Sequence, residues 1–305
     1  MQKQFDLLVA GEINPDLILI GDVTPAFGQV EKLVDSATLT IGSSSVIFAC
    51  GAARLGLKVA FISVCGADIF GRFMLDEISK CGVDISNVII DPAQQTGLSV
   101  ILNRSADRAI LTHAGSMVLL RAELVADSLL QKSRHIHISS YFLQTALQSG
   151  LPNLFRRAHH LGLTTSLDTN WDPSSEWRGF DELLHLLDVF LPNENEALSL
   201  TGVSTVKDAL AQLSQKSGTV AIKMGARGAI ARQSDELAEV PALEGNLVDT
   251  VGAGDSFDAG FLYGYLNGWD LARTLRLGTV CGSLSTRAAG GTAAQPTLEE
   301  AMEYL

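Results

Sequence analysis

The sequence comprises 305 residues, 47% of them hydrophobic, and carries a formal net charge of −12 at pH 7. Its length suits one large α/β domain or two smaller ones, and its apolar content is sufficient for a packed core. Because acidic residues outnumber basic ones and no cluster of lysines and arginines occurs, the charge argues against nucleic acids and anionic membranes as partners.

The cysteines and the lengths of the apolar runs indicate the cellular compartment of the protein. The first apolar run, residues 7–10, is too short for the core of a signal peptide, and no run of about eighteen apolar residues could span a bilayer. The four cysteines form no C-x-x-C pair, which predicts reduced and mostly buried thiols. We therefore expect a cytoplasmic protein; its cysteines are Cys50, Cys65, Cys81 and Cys281.

Apolar segments of strand length alternate with segments of helical periodicity along the chain. This alternation predicts a mostly parallel sheet with helices on both faces, and a ligand site at the carboxyl ends of its strands. The predicted strands are 6–11, 59–64, 134–139, 164–168, 189–192, 219–224 and 229–232. The predicted helices are 46–55, 70–80, 144–161, 194–201, 207–215, 255–266 and 271–287.

Four short β-rich segments interrupt this alternation, at about 17–20, 37–41, 99–103 and 109–112. We expect them to pair as antiparallel strands in a small separate sheet, which could act as a lid over the ligand end. Alternatively, they are edge hairpins of the main sheet. Since no repeat or long linker is present, residues 1–305 are expected to form a single domain with the lid strands inserted.

Short polar residues follow the first predicted strand. Asn14 and Asp16 would lie at the carboxyl edge of the sheet, where they could bridge the vicinal hydroxyls of a polyol. Asn-Pro-Asp is also good turn chemistry, so a turn is the alternative interpretation. Further along, Gly42 and Ser43 precede a helix and could present an amide and a hydroxyl to a substrate, or simply cap that helix.

Two later motifs could hold a metal ion and a nucleotide. Asn193 and Glu196 are three residues apart and share one helix face, so their oxygens could hold a hydrated Mg²⁺. The competing interpretation is a capping box. Lys223, Gly225 and Gly228 close a strand in a turn whose glycines would let the backbone approach a nucleotide, although a plain hairpin turn has the same composition.

The stretch from Asp249 to Phe257 is the most informative part of the chain. Gly252, Ala253 and Gly254 leave three successive amides unshielded at the start of an apolar-periodic helix, which is a favourable site for an anion. Asp255 stands at the same point as a potential base, so the pair predicts phosphoryl transfer to a hydroxyl. We expect the helix dipole to keep Asp255 ionised at neutral pH. Alternatively, Asp255 is an N-cap, with Asp258 completing a capping box.

These motifs, taken in order, resemble the ribokinase-like (PfkB) family of carbohydrate kinases over essentially the whole chain. The most specific match is the family's D-T-x-G-A-G-D signature at residues 249–255. The other matches are Gly11-x-x-Asn14-x-Asp16, Ala53-Arg54-Leu55-Gly56, Gly66-x-Asp68-x-Phe70-Gly71, Asn193-x-x-Glu196 and the 223–228 turn.

The resemblance implies a three-layer α/β fold with a β-sheet lid, which often serves as a homodimer surface. It implies transfer of the γ-phosphoryl group of ATP to a small sugar, with Asp255 as the base and the amides of residues 252–254 as the anion hole. The ligand contacts it implies are sugar hydroxyls at Asn14, Asp16, Gly42 and Ser43; nucleotide at Lys223, Gly225, Gly228 and Thr250; Mg²⁺ and its waters at Asn193 and Glu196; and a monovalent cation such as K⁺ at Asp249 and the Val251 carbonyl.

The first signature departs from the family pattern, which usually reads G-G-x-x-x-N. Here Ser43 replaces the second glycine and Ile47 replaces the asparagine, so the pocket should be more apolar at that point. The acceptor could lack a hydroxyl there or carry a hydrophobic group such as a base. The lysine common at the Ser44 position in members that take sugar phosphates is also absent, although Arg104 or Arg108 could replace it.

Three functions therefore remain open. The first is a sugar kinase, the second is a nucleoside kinase of the same fold, and the third is a sugar or nucleotide sensor that has lost turnover. Retention of Asp255 and of the anion-hole residues argues against the sensor. A dinucleotide-binding enzyme is not indicated, because no G-x-G-x-x-G follows the first strand.

Overall fold

The computed structural model describes residues 3–104, 107–245 and 247–305. The strands of this part of the chain are β1 (Phe5–Ala10), β2 (Pro15–Ile20), β3 (Ser36–Ile41), β4 (Val59–Ile62), β5 (Val64–Gly66), β6 (Ile89–Asp91), β7 (Leu98–Arg104), β8 (Asp107–His113), β9 (Ser133–Ile138), β10 (Thr164–Leu167), β11 (Val189–Phe190), β12 (Thr219–Lys223), β13 (Ala229–Gln233) and β14 (Glu236–Val240). Its α-helices are α1 (Ser44–Arg54), α2 (Ile69–Lys80), α3 (Asp127–Leu130), α4 (Thr145–Gln148), α5 (Leu151–His160), α6 (Asp181–Leu184), α7 (Glu194–Thr201), α8 (Val206–Leu213), α9 (Ala253–Leu266), α10 (Leu271–Ser285) and α11 (Leu298–Met302).

The main sheet has eight strands in the order β14-β13-β12-β11-β10-β9-β1-β4. All neighbours from β4 to β12 are parallel, and β13 and β14 add an antiparallel edge. Because side chains alternate along a strand, β1 supplies two cores. Leu7 and Val9 pack with α1, α9 and α10 on one face, whereas Leu8 and Ala10 pack with α5 on the other. The predicted three-layer arrangement is thus confirmed.

The four predicted lid segments form a separate sheet in the order β3-β2-β7-β8, so they are not edge hairpins of the main sheet. The pairs β2–β3 and β7–β8 are antiparallel, as expected, but the central pair β2–β7 is parallel. The expectation of wholly antiparallel pairing was therefore wrong. Its cause is that β2 and β7 are each the first strand of a hairpin, and both run outward from the body side by side.

Several predicted boundaries differ from the structure. The predicted helix 144–161 is divided into α4 and α5 around Gly150, where Pro152 enters the first turn of α5 and lacks the N–H needed to continue an earlier helix. The predicted strand 59–64 ends at Ile62, because β5 leaves to pair with β6 in a two-stranded sheet. Strand β14 was not predicted. Among the described residues, none of the helices combines the length and hydrophobicity needed to cross a bilayer.

Candidate active site

A cavity of about 470 Å³ lies where the carboxyl ends of the parallel strands meet the lid sheet. It collects residues that are far apart in the sequence, and several were not predicted for the site. The predicted residues that line it are Asp16, Ser43, Asn193, Glu196, Lys223, Gly225, Thr250, Val251, Gly252, Gly254 and Asp255. The cavity is also lined by Ser44, Ile47 and Arg108, which the departures from the first signature had associated with the acceptor. The lining residues that were not singled out from sequence are Ile101, Ile110, Asp168 and Asn170.

Helix α9 begins at the cavity wall, as its glycines predict. Gly252 is its N-cap residue with φ 72°, and no side chain caps this helix end. A Cβ on Gly252 would lie 2.7 Å from the Gly291 Cα and 2.8 Å from the Ile47 Cγ2, so only glycine fits. The Ala253 amide donates to the Thr250 carbonyl at 3.3 Å, so Gly252 and Gly254 are the predicted anion-hole residues that border the cavity.

Asp255 is the third residue of α9, so its interpretation as an N-cap was wrong. It is buried, with 7% of its surface exposed. Burial, followed by the charge of Asp168, raises its pKa well above the ordinary range, while Lys223 and a hydrogen bond from Ser44 oppose that rise. The helix dipole was expected to favour the ionised form of Asp255, but the pKa shifts in the opposite direction, because the loss of hydration on burial is the largest influence on it.

Lys223 lies beneath the first turn of α9 in a buried ion-pair network. Its Nζ is 3.0 Å from Asp168 Oδ2 and 3.1 Å from both carboxylate oxygens of Asp258. A Cβ on Gly254 would stand 3.5 Å from this Nζ. Burial alone would lower the pKa of Lys223, but the carboxylates of Asp168 and Asp258 raise it. The ammonium predicted to meet a nucleotide is thus engaged with two carboxylates.

The other two glycines of the nucleotide-binding prediction differ in their surroundings. Gly225 borders the cavity and has open space around the position of a Cβ. Gly228 has φ 91°, and a Cβ there would lie 2.0 Å from the Val240 carbonyl oxygen on β14. Gly228 is therefore required by the packing of the β12–β13 hairpin, in agreement with the alternative interpretation.

Asn193 and Glu196 form the capping box that was the competing interpretation of this motif. The Asn193 amide donates to Glu196 Oε2 at 2.8 Å, and the Glu196 amide donates to Asn193 Oδ1 at 3.0 Å. Glu196 is only 2% exposed, and burial together with Asp168 raises its pKa to about 7. Both side chains border the cavity, so the cap also delivers an oxygen cluster to the site.

Of the predicted sugar contacts, Asp16 and Ser43 border the cavity, whereas Asn14 and Gly42 do not. Asn14 Nδ2 donates to Asp16 Oδ1 at 3.3 Å, and among the described residues Asn14 Oδ1 is buried without a hydrogen-bond partner. Burial raises the pKa of Asp16 to about 6, against the opposing charge of Arg108. A Cβ on Gly42 would lie 2.2 Å from Asp16 Oδ1, so this glycine leaves room for the carboxylate.

The residues predicted for a monovalent cation are held by the loop around Asp249. Its Oδ1 accepts from the Val251 amide at 3.1 Å, and its Oδ2 accepts from the Gly290 amide at 3.0 Å. The carboxylate thereby ties the start of α9 to the loop after α10. The Val251 residue borders the cavity, whereas Asp249 does not.

Asp168 is the most important residue that the sequence interpretation missed. It follows β10 directly, is 3% exposed, and contacts Lys223 at the centre of the site. Burial would raise its pKa, but Lys223 and several hydrogen bonds lower it below the ordinary value. Its position at the carboxyl end of a predicted strand was a usable signal, because the same position had marked Asn14 and Asn193.

A model of the pfkB family of carbohydrate kinases matches residues 4–298 of the chain. Ribokinase from Haemophilus influenzae is 29% identical over 308 residues, covering 98% of each sequence. The 2-dehydro-3-deoxygluconokinase of Bacillus subtilis is 31% identical over 275 residues, covering 84% of each sequence. The resemblance inferred from the motifs is thereby confirmed.

Solved structures show the same fold. Arabidopsis thaliana ribokinase, complexed with ribose and ATP, superposes with a TM-score of 0.87 at 21% identity, covering 100% of this chain and 99% of that one. An Escherichia coli protein assigned as ribokinase II, in complex with ATP and Mg²⁺, superposes with a TM-score of 0.86 at 24% identity, covering 98% of both chains. With a family model that spans nearly the entire sequence, the chain belongs to the pfkB family of carbohydrate kinases.

Proposed function

We propose that this kinase transfers the γ-phosphoryl group of ATP to a hydroxyl of a small sugar or sugar derivative, with Asp255 as the general base. The observation that carries the proposal is the sharing of one cavity by Asp255, the first turn of α9 and Asp16. The acceptor O–H gives its proton to the Asp255 carboxylate, an O–P bond forms to the γ-phosphorus, and the bond from that phosphorus to the β–γ bridging oxygen breaks to release ADP.

The first turn of α9 would stabilise the charge that develops during transfer. Gly252 and Gly254 border the cavity at a helix end that no side chain caps, so free N–H groups and the positive end of the dipole there would favour an anion. Such fixed donors favour a transition state over its ground state because they need no reorganisation. Lys223 lies just behind Gly254 and adds positive charge on the same side.

The donor would lie on the side of the cavity that Gly225 and Thr250 border. The two solved relatives bound to ATP support this assignment by their shared fold. Asn193 and Glu196 fit a hydrated Mg²⁺, because the Glu196 carboxylate and the side-chain amide of Asn193 provide oxygens. Mg²⁺ retains most of its waters and needs few protein ligands. When bound, the ion neutralises charge on the phosphate oxygens.

The acceptor would lie between Asp16 and Asp255. The buried, unpartnered Asn14 Oδ1 and the Asp16 carboxylate suit donor hydroxyls of a sugar. Three isoleucines, Ile47, Ile101 and Ile110, border the same space and offer no hydrogen bond. We therefore favour an acceptor with fewer hydroxyls than ribose on that side, such as a deoxy sugar or a deoxy sugar acid. Two relatives, from Bacillus subtilis and Salmonella typhi, are named as kinases of deoxy substrates.

The experiment is an ADP-release screen with ATP and Mg²⁺ over pentoses, hexoses, deoxy sugars, keto-deoxy acids, nucleosides and sugar phosphates, with and without K⁺. We expect turnover with a sugar or sugar acid that is lost in Asp255→Asn. Turnover of nucleosides alone would replace the proposal by the nucleoside kinase, which the isoleucines also favour. Silence across the panel, with ligand binding retained, would favour the sensor.

We also propose that the protein is cytoplasmic, where ATP is available, and forms a homodimer through its lid. Free cysteines at Cys50, Cys65, Cys81 and Cys281 support the location, since a reducing compartment keeps thiols unpaired. Exposed leucines on the lid strands, Leu39 and Leu111, support the dimer.

A further inference from the structure

The loop before α1 holds an unusual backbone conformation at Ser43. This residue has φ 67° and ψ 118°, in the region that favours glycine. Its hydroxyl is within donating distance of the Glu12 carbonyl oxygen, at 2.8 Å, and of Glu12 Oε1, at 3.0 Å. The same hydroxyl oxygen accepts from the Val46 main-chain amide at 3.1 Å. The side chain of Ser43, the residue in the strained conformation, is therefore bonded to Glu12.

Glu12 is buried to 1% exposure, and its carboxylate joins three segments of the chain. It accepts from the Ser45 amide at 3.3 Å, from the Ser45 hydroxyl at 2.5 Å and from the Ser140 hydroxyl at 3.0 Å. Ser140, just after β9, is itself left-handed with φ 53°. No salt bridge involves Glu12 among the described residues, so hydroxyls and an amide satisfy its oxygens.

Ser44 lies between the two serines that Glu12 holds, and it faces the cavity. Its hydroxyl accepts from Asn170 Nδ2 at 2.8 Å, and the same Nδ2 donates to the Ser140 hydroxyl at 2.7 Å. Asp255 borders the same cavity, and the Ser44 hydroxyl is among the groups that lower the pKa of its carboxyl group. The position of Ser44 beside the base thus depends on a network centred on Glu12.

We propose that Glu12 is a positioning residue for phosphoryl transfer, which clamps residues 43–45 in a strained conformation so that Ser44 is held against Asp255 at the acceptor side of the cavity. The kinetic part of this inference rests on the proposed function, whereas the clamp itself does not. Glu12 itself does not border the cavity. Its effect passes through the loop, and small misplacements of a reacting pair are costly.

The first test compares Glu12→Ala with Glu12→Gln in the full-length protein. Alanine leaves the Ser45 amide and the hydroxyls of Ser45 and Ser140 without their carboxylate acceptor, whereas the Ser43 hydroxyl keeps the main-chain carbonyl of residue 12. Glutamine keeps an acceptor oxygen, and its amide can donate to the Ser45 hydroxyl. We expect Glu12→Ala to lower kcat/KM for the acceptor about 10²-fold with the KM for ATP nearly unchanged, and Glu12→Gln to retain most activity.

A control removes a carboxylate away from the cavity that also accepts from a main-chain amide and a hydroxyl, although it is partly exposed and contacts His159 as well. Asp188 accepts from the Thr165 amide at 2.8 Å at the amino end of β10. Asp188→Ala should lower the stability of the protein. It should not lower the kcat/KM for the acceptor selectively while leaving the KM for ATP unchanged. If Glu12→Ala changed the kinetic constants for the acceptor and for ATP equally, its role would be merely structural and the proposal would be overturned.

A rescue variant tests the strain itself. Glycine at position 43 reaches φ 67° without penalty. The double variant Glu12→Ala/Ser43→Gly should therefore recover a substantial part of the acceptor kcat/KM lost in Glu12→Ala. No recovery would contradict the clamp on Ser43.

Hydrogen exchange provides a readout independent of turnover. We expect Glu12→Ala to speed exchange in peptides covering residues 42–47, while those covering β12 stay unchanged. Unchanged exchange at residues 42–47 would overturn the clamp even in an active enzyme. If the wild type phosphorylates no acceptor, the proposed function fails, but exchange still decides whether the clamp exists.

Discussion

Asp255, the proposed base, illustrates at the scale of a single residue how a buried carboxyl group can be costly to the fold that carries it. Its carboxyl group is buried beside Asp168, and burial raises its pKa well above the ordinary range. Ionisation is therefore opposed by the site and supported only by Lys223, Ser44 and the helix end. A carboxyl group at such a position destabilises the fold, which supports its proposed role in the chemistry.

Replacing Asp255 by asparagine should therefore separate activity from stability. We expect kcat to fall about 10²-fold or more, because asparagine cannot accept the proton. The melting temperature should stay equal or rise, since a neutral amide avoids the cost of a buried carboxylate. Steady-state kinetics and thermal unfolding measure both. An Asp255→Asn variant with more than half of the wild-type activity would contradict the role of base.

Asp16 should give acceptor binding a pH dependence near pH 6. Burial raises its pKa from 3.8 to about 6, so the carboxylate forms only as the pH rises through that value. An ionised carboxylate accepts hydroxyl donors on both oxygens, so the KM for the acceptor should fall between pH 5 and about 7. Because the folded-state pKa is raised, the same ionisation costs folding free energy as the pH rises from 3.8 to about 6.

Asp16→Asn is the control for that pH dependence. The variant should show a higher acceptor KM that no longer changes in this interval, and it should be more stable than the wild type at neutral pH. KM profiles of the two proteins over the same buffers make the comparison. A wild-type profile that is flat, or one that asparagine reproduces, would contradict the assignment.

At the scale of elements, the start of α9 depends on glycine for two separable reasons. Gly252 and Gly268 share left-handed φ values of 72° and 70°, but only Gly252 has atoms within 3 Å of a potential Cβ. Gly268→Ala should therefore cost only the backbone term, about 1–2 kcal/mol. Gly252→Ala should cost more and also displace the proposed anion hole. Urea unfolding and kcat test this, and equal costs for both variants would contradict it.

The contact between β12 and α9 depends on the buried ion pairs of Lys223. Lys223→Met leaves Asp168 and Asp258 buried without their cation, so we expect a loss of about 3–5 kcal/mol in the free energy of unfolding. Lys207 offers the matched control, since it pairs with Glu239 at 3.9 Å on the surface, with side chains 76% and 56% exposed. Lys207→Met should change stability by less than about 1 kcal/mol. Similar losses of stability in both variants would show that the buried network of Lys223 contributes no more than a surface ion pair.

Elements and sites that depend on neighbouring residues were predictable, and those that depend on distant pairing were not. The helix at 194–201 and its capping box follow from residues three apart. The Lys223–Asp168 ion pair joins residues 55 apart, and the Glu12–Ser140 bond joins residues 128 apart. Nothing in local periodicity reports such contacts. The parallel pairing of β2 with β7 was missed for the same reason.

At the scale of the whole molecule, the lid presents different chemistry on its two faces. Asp16, Ile101 and Ile110 border the cavity. Since strand residues alternate, their neighbours lie on the outer face. There the register aligns a cross-strand row of apolar residues, namely Leu39, Leu17, Val100 and Leu111. Leu39 is 36% exposed and Leu111 is 61% exposed, which is costly for a sheet facing water.

We expect this row to be covered by the lid of a second copy, since one lid sheet matches another in shape and hydrophobicity. Sedimentation should give a dimer for the wild type and a monomer for Leu111→Lys, whose charge would be buried at the interface. Leu237→Lys, at an equally apolar position that is 54% exposed on β14, should remain dimeric. A monomeric wild type, or a Leu111→Lys dimer, would contradict pairing through the lid. If pairing also holds the lid over the cavity, the monomer should show a raised acceptor KM, because one wall of the acceptor pocket belongs to that sheet.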